Sequence, residues 1–197
     1  MVSQHFATNW VKGDLPKICY VFVVTNHDLS SKYNAYKCML QDQAEEQYFH
    51  GTRLTCNVMT SKILCKTSKT LCKDADCGIC NISRIGFNSQ HIRKNITFQR
   101  FGPGFYLAPH SSKCHDYTLG AHGYRALFLC DVCPGRKYQL QVTDQTLRGP
   151  PMGFDSIYGQ VGQDLNYPEI VLHNPNAILP HYIIVYQKDG IGNPRAR

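Results

Sequence analysis

The chain has 197 residues, 43% of them apolar and 18% charged, a composition that fits one well-buried globular domain and excludes a disordered or low-complexity polymer. Its 21 lysines and arginines against 14 aspartates and glutamates give a formal charge of +7, spread so thinly that a solvated basic surface accounts for it. No run is long enough to cross a bilayer, and the opening MVSQHFATNWVKGDL lacks the apolar core of a secretion signal, so the expectation is a monomer of the cytoplasm or nucleus with no membrane partner.

In chain order, residues 17–25, KICYVFVVT, are rich in β-branched and aromatic side chains and read as a buried strand. NHDLSS at 26–31 supplies capping side chains for a short helix in KYNAYKCML, residues 32–40. QYFHGT at 47–52 is strand-like, 56–80 is polar and thiol-rich, and 81–103 is expected to be irregular. GFYLAP at 104–109 reads as a strand, followed by a polar corner at Ser111-Ser112-Lys113 and a second tyrosine, Tyr117. YRALFLCDVCPG is a strand closed by a Pro134-Gly135 turn, and RKYQLQV is an alternating strand. Residues 143–166 are a loop of a length that compact domains keep for function. Two apolar strands, EIVLH and HYIIVYQ, close the chain around the turn region NPNAILP. Many strands and few helices predict an α+β fold with a largely antiparallel sheet.

Ten cysteines in a chain without a secretion signal point to metal or burial before disulfides. Cys56, Cys72, Cys77 and Cys80 form the pattern C-x15-C-x4-C-x2-C, and the close last pair lets two sulfurs point into one tetrahedral site. Zinc fits that donor set. It would offset the chain entropy of a segment with little apolar material, and four sulfurs leave no open position for a catalytic water. Cys65 is a spare that could replace one ligand, whereas Cys130 and Cys133 read as buried thiols.

Three stretches, YFHGTR at 48–53, GFYLAPHSSKCHDY at 104–117 and YPEIVLHNPNAILPHYIIVYQ at 167–187, together carry a resemblance. They resemble the catalytic domain of the poly(ADP-ribose) polymerase family, in its diphtheria-toxin-like branch with a His-Tyr-Glu signature. The inserted cysteines are similar to a zinc-bearing subgroup. The resemblance implies an ADP-ribosyltransferase fold with a split β-sheet over a single domain of residues 1–190. The zinc-bearing insertion would lie at about 56–80, with a flexible tail at 191–197.

It also implies a substrate and a site. NAD would be cleaved at its nicotinamide glycosidic bond, and His50, Tyr106 and Glu169 are the implied catalytic residues. His50, Gly51, Tyr106, Ser112, Cys114 and Tyr117 would bind the dinucleotide, with Lys113 inside the same motif. Such cleavage passes through a cationic ribosyl centre, so the site must hold a flat ring, orient a ribose and offer negative charge. Tyr106 and Tyr117 would sandwich the nicotinamide, and the Gly51 backbone would bond its carboxamide. His50 would donate to a hydroxyl of the adenosine ribose, and Glu169 would face the nicotinamide ribose. Cys114 stands where many members have serine, which makes it a weaker donor. Tyr167, two residues before Glu169, replaces the acidic or amide residue of arginine-modifying toxins.

The resulting expectation is NAD-dependent transfer of a single ADP-ribose unit to an unidentified acceptor, protein or nucleic acid. An NAD glycohydrolase and a non-catalytic zinc-stabilised NAD-binding or interaction module are the alternatives. A zinc-finger nucleic-acid binder would need aromatic residues among Lys62, Lys66, Lys69 and Lys73, and the sequence has only the basic half.

Overall fold

The structure is a computed structural model that describes residues 1–57, 59, 71–92 and 99–187. Cys65, Lys62, Lys66, Lys69 and the expected tail at 191–197 lie outside the described residues.

The elements in order are α1 (Val2–Thr8), β1 (Lys17–Val23), α2 (His27–Met39), β2 (Glu46–Gly51), α3 (Gly78–Ile85), β3 (Phe105–Leu107), α4 (Ser111–His115), β4 (Arg125–Val132), β5 (Lys137–Leu140), β6 (Ser156–Gly159), β7 (Glu169–Leu172) and β8 (Ile178–Gln187). Short 3-10 turns occupy Ser89–His91 and Pro175–Ala177. Two four-stranded sheets form, ordered β1-β8-β4-β2 and β3-β7-β6-β5. All pairings between these strands are antiparallel except β5 with β6. This is the α+β, split-sheet architecture of the ADP-ribosyltransferase fold.

Strand β4 explains its own composition. Ala126, Phe128, Cys130 and Val132 face a core shared with Tyr33 and Tyr36 of α2 and Ile79 of α3, while Leu127 and Leu129 pack with Phe6 and Trp10 on the opposite face. A strand covered on both sides reads as a continuous apolar run instead of an alternating one.

Several local expectations are corrected. The N-terminal residues, read only for the absence of a secretion signal, form α1, whose Val2 and Phe6, four residues apart, pack on the sheet together with Trp10 just beyond the helix. Helix α2 begins one turn earlier than 32–40, because the Asn26 side chain caps it by accepting the Leu29 N–H at 3.2 Å. The segment expected to be irregular from residue 81 holds most of α3, and the polar corner after Tyr106 is α4. Inside the expected loop 143–166 lies β6, which finds hydrogen bonds by adding parallel to β5. The NPNAILP turn region already contains the start of β8, with Pro180 beside the register shift at Leu129/Cys130, where a missing N–H is tolerated.

Candidate active site

Strands β2, β3 and β7 meet where the two sheets join. Phe49 and Ala108 exchange backbone hydrogen bonds of 2.8 and 3.0 Å, linking β2 to the end of β3. The residues that follow these anchors open onto one cavity of about 810 Å³. His50, Gly51, Tyr106, Lys113, Cys114, Tyr117 and Glu169 all line it. Three separate stretches of sequence thus converge on one volume.

Glu169 opens β7 and is only 4% exposed. Its Oε2 lies 3.3 Å from Lys113 Nζ, and its Oε1 lies 4.0 Å from Arg100 Nε. Oε1 accepts no hydrogen bond among the described residues. A buried carboxylate oxygen with spare acceptor capacity is costly unless a ligand group completes it, and here it borders the cavity.

Tyr106 is held at both ends. Its backbone pairs with Val171 of β7, and its hydroxyl donates to the Gly102 carbonyl at 2.7 Å while accepting the Phe101 N–H at 3.0 Å. Burial pushes its phenol up to about 12, so the ring is neutral throughout the physiological range. Tyr117, by contrast, is 54% exposed at the cavity edge, with Lys113 Nζ 5.9 Å from its ring centre.

Gly51 is required by contact. A side chain there would place Cβ 1.9 Å from the Cys114 carbonyl oxygen and 3.3 Å from Tyr117 Cβ, so the backbones of β2 and α4 touch because this residue has no side chain. The Cys114 thiol donates to the Phe49 carbonyl at 3.0 Å, and burial pushes it up to about 12, which keeps it a neutral donor within the scaffold.

Two of the expected site residues are tied to other parts of the chain. His50 Nδ1 bonds the Tyr106 carbonyl at 2.9 Å, and a carbonyl only accepts, so this nitrogen carries the proton. Ser112 is 1% exposed, and its hydroxyl accepts the Val11 N–H at 3.1 Å. It ties α4 to the segment after α1 and is not among the residues lining the cavity.

Sequence reasoning missed Arg100 and the wall made by α3. Arg100 lines the cavity, donates to Thr143 Oγ1 at 3.0 Å and lies 3.6 Å from Asp164, joining the 143–164 stretch to the Glu169 side. Its only sequence signal is its place just before the Phe-Gly-Pro-Gly that leads into β3. Phe87, directly after the α3 cap at Gly86, meets the His50 ring edge-on at 4.9 Å.

The sulfurs of Cys56, Cys72, Cys77 and Cys80 all lie within 4.8 Å of one another. Cys56 Sγ is 3.7 Å from Cys77 Sγ and 3.6 Å from Cys80 Sγ. Four thiolates about 2.3 Å from a tetrahedral zinc would be about 3.8 Å apart, whereas a disulfide needs about 2 Å, so the set fits a metal.

Residues 78–166 match the family model described as "Poly(ADP-ribose) polymerase catalytic domain". The match includes Tyr106 and Tyr117 and excludes His50 and Glu169. Human protein mono-ADP-ribosyltransferase PARP3 is 37% identical over 62 residues, covering 29% of this chain and 12% of that protein. Its mouse counterpart is 36% identical over 62 residues, with the same coverages of 29% and 12%. Human protein mono-ADP-ribosyltransferase PARP4 is 30% identical over 96 residues, which is 45% of this chain and 6% of that protein. The similarity therefore spans a small part of each relative's length. With the split sheet and the matched β3–α4 segment, these similarities support the poly(ADP-ribose) polymerase catalytic-domain family, on a match that spans residues 78–166.

Proposed function

We propose that the protein cleaves NAD at the nicotinamide glycosidic bond and transfers a single ADP-ribose unit to an acceptor. The observation that carries this reading is the buried Glu169 carboxylate, whose Oε1 accepts no hydrogen bond among the described residues, at the wall of a cavity shared with Tyr106, Tyr117 and Gly51. The two tyrosine rings supply faces for the nicotinamide, and the backbone of Gly51 approaches without a side chain in the way. His50 orients a ribose hydroxyl. Glu169 places negative charge where the ribosyl centre becomes cationic as the C–N bond breaks, with the electron pair leaving on nicotinamide. The acceptor then forms the new bond at that carbon.

The test is incubation with NAD carrying a labelled adenine, with free nicotinamide and label on macromolecules followed together. Nicotinamide release matched by labelled acceptor is expected. Fast release with no labelled protein or nucleic acid would make water the acceptor and replace transfer with hydrolysis. No release at all would leave a binding module.

Two variants of Tyr106 separate its ring from its hydroxyl. Tyr106→Ala removes the stacking face and is expected to weaken NAD binding as well as turnover, measured by calorimetry and initial rates. Tyr106→Phe keeps the face and loses the bonds to Gly102 and Phe101, so it should cost about 1 kcal/mol per bond in thermal stability while binding NAD nearly as well.

The four-cysteine set is read as a structural zinc site. Elemental analysis of protein purified without chelator is expected to give one zinc per chain, and a stoichiometry near zero would remove it.

A further inference from the structure

The zinc site and the cavity share one piece of chain. Cys77 directly precedes α3 and Cys80 lies in its first turn, both fully buried. Asn81, Ile82 and Ile85 of the same helix line the cavity. On the other side, Cys56 follows the Thr52-Arg53 pair that continues from His50 and Gly51. The two segments are in close contact here. The α3 residue Gly78 sits where a Cβ would lie 2.0 Å from Thr52 Oγ1, and the Ile79 N–H donates to the Arg53 carbonyl at 3.1 Å. A metal held by Cys56, Cys72, Cys77 and Cys80 would therefore fasten the start of α3 to the chain that leaves the His50-Gly51 strand.

The far end of α3 is fastened without metal. The Asn26 side chain donates to the Ser83 and Arg84 carbonyls at 3.3 and 3.0 Å, and Phe87 packs on His50. Asn81 extends the wall, donating to the Asp74 and Ala75 carbonyls at 2.9 and 3.0 Å and so fixing a turn whose Ala75 and Asp76 also line the cavity. Glu169, Lys113 and Tyr106 stand on β7, α4 and β3 and share no ligand with the metal. Loosening the cysteines would free the start of the α3 wall and leave these groups in place.

We infer that the four-cysteine metal site positions the dinucleotide: its occupancy sets affinity for the part of NAD that lies along α3, on the His50 side, and not the rate of bond cleavage at Glu169. This rests on the NAD reading above. Metal loss then raises KM for NAD and leaves kcat, and the affinity for free nicotinamide at the tyrosine end, almost unchanged.

The full chain is compared zinc-loaded, chelator-stripped and zinc-reloaded, with ADP-ribose and nicotinamide as separate binding probes and NAD as substrate. The stripped protein is expected to bind ADP-ribose about tenfold or more weakly and to show a KM for NAD raised by a similar factor, with nicotinamide affinity and kcat within about threefold, and reloading should reverse the change. Cys72→Ser, at one of the two partly exposed ligand positions, should reproduce the stripped state. Should that variant fold poorly, Asn81→Ala supplies an independent measure: it keeps all four sulfurs and should raise KM in the same direction. Equal loss of both probes together with the circular dichroism of the sheets would mean general structural support and overturn the inference, as would unchanged KM after complete stripping. If the zinc-loaded protein binds neither probe, the NAD reading itself fails and this inference goes with it.

Discussion

Glu169→Gln is expected to cut nicotinamide release from NAD by a factor of roughly 10² to 10³, about 3 to 4 kcal/mol of barrier, while NAD still binds. The amide keeps the size of the side chain and one oxygen toward Lys113, now 3.3 Å away, but removes the charge that faces the developing cation. Lys113 borders the open cavity, where water can solvate the ammonium once its counter-charge is gone, so circular dichroism should show a folded protein. Glu169→Asp retains charge but withdraws it by one methylene, and its rate should fall between the two. Nicotinamide release by Glu169→Gln at the wild-type rate would remove this residue from the chemistry.

Gly51→Ala should be nearly as damaging to ligand binding, by a different route. The new methyl would lie 1.9 Å from the Cys114 oxygen and 2.9 Å from its carbonyl carbon, and backbone cannot rotate aside as a long side chain would. Strand β2 and α4 must move apart, separating Gly51 from Cys114 and Tyr117 and disturbing their alignment with Tyr106. A loss of about 1 to 3 kcal/mol in stability and of most nicotinamide affinity is expected, read by thermal unfolding and calorimetry. Gly149→Ala is the control, since its Cβ would meet only His173 Cδ2 at 3.9 Å. Equal behaviour of the two variants would show that the β2–α4 contact does not shape the pocket.

The site motifs were legible because each is short and local. His-Gly ends a strand, Phe-Tyr-Leu forms another, and a glutamate opens a third, so residues that come to share one cavity could be picked out before the packing was known. What the sequence hid was set by tertiary pairing. The Nδ1 bond of His50 was hidden because the partner is a backbone carbonyl 56 residues away, and no side-chain identity reports that. Ser112 looked like part of the pocket because it sits between two residues that are, yet a five-residue helix turns it toward Val11. Strand β6 escaped notice because it is only four residues long and lies between a parallel neighbour, β5, and an antiparallel one, β7, both reached across connecting loops. Arg100 carries no motif at all. The cysteine cluster was visible from spacing, but its contact with the cavity depends on α3, which lay in a segment expected to be irregular.

The paired amides of Phe49 and Ala108, which stitch one sheet to the other, also offer a way to watch the pocket assemble. His50 and Gly51 lie just beyond one of them, and Tyr106 lies two residues before the other, so the site exists only while that seam is closed. Hydrogen–deuterium exchange at these two amides should therefore count openings of the seam, and a dinucleotide spanning both sheets should slow exchange there more than at the β1–β8 pairs, which carry no site residue. A ligand confined to one sheet would leave the seam's exchange untouched, which turns two backbone protons into a gauge of whether a bound molecule bridges the crevice.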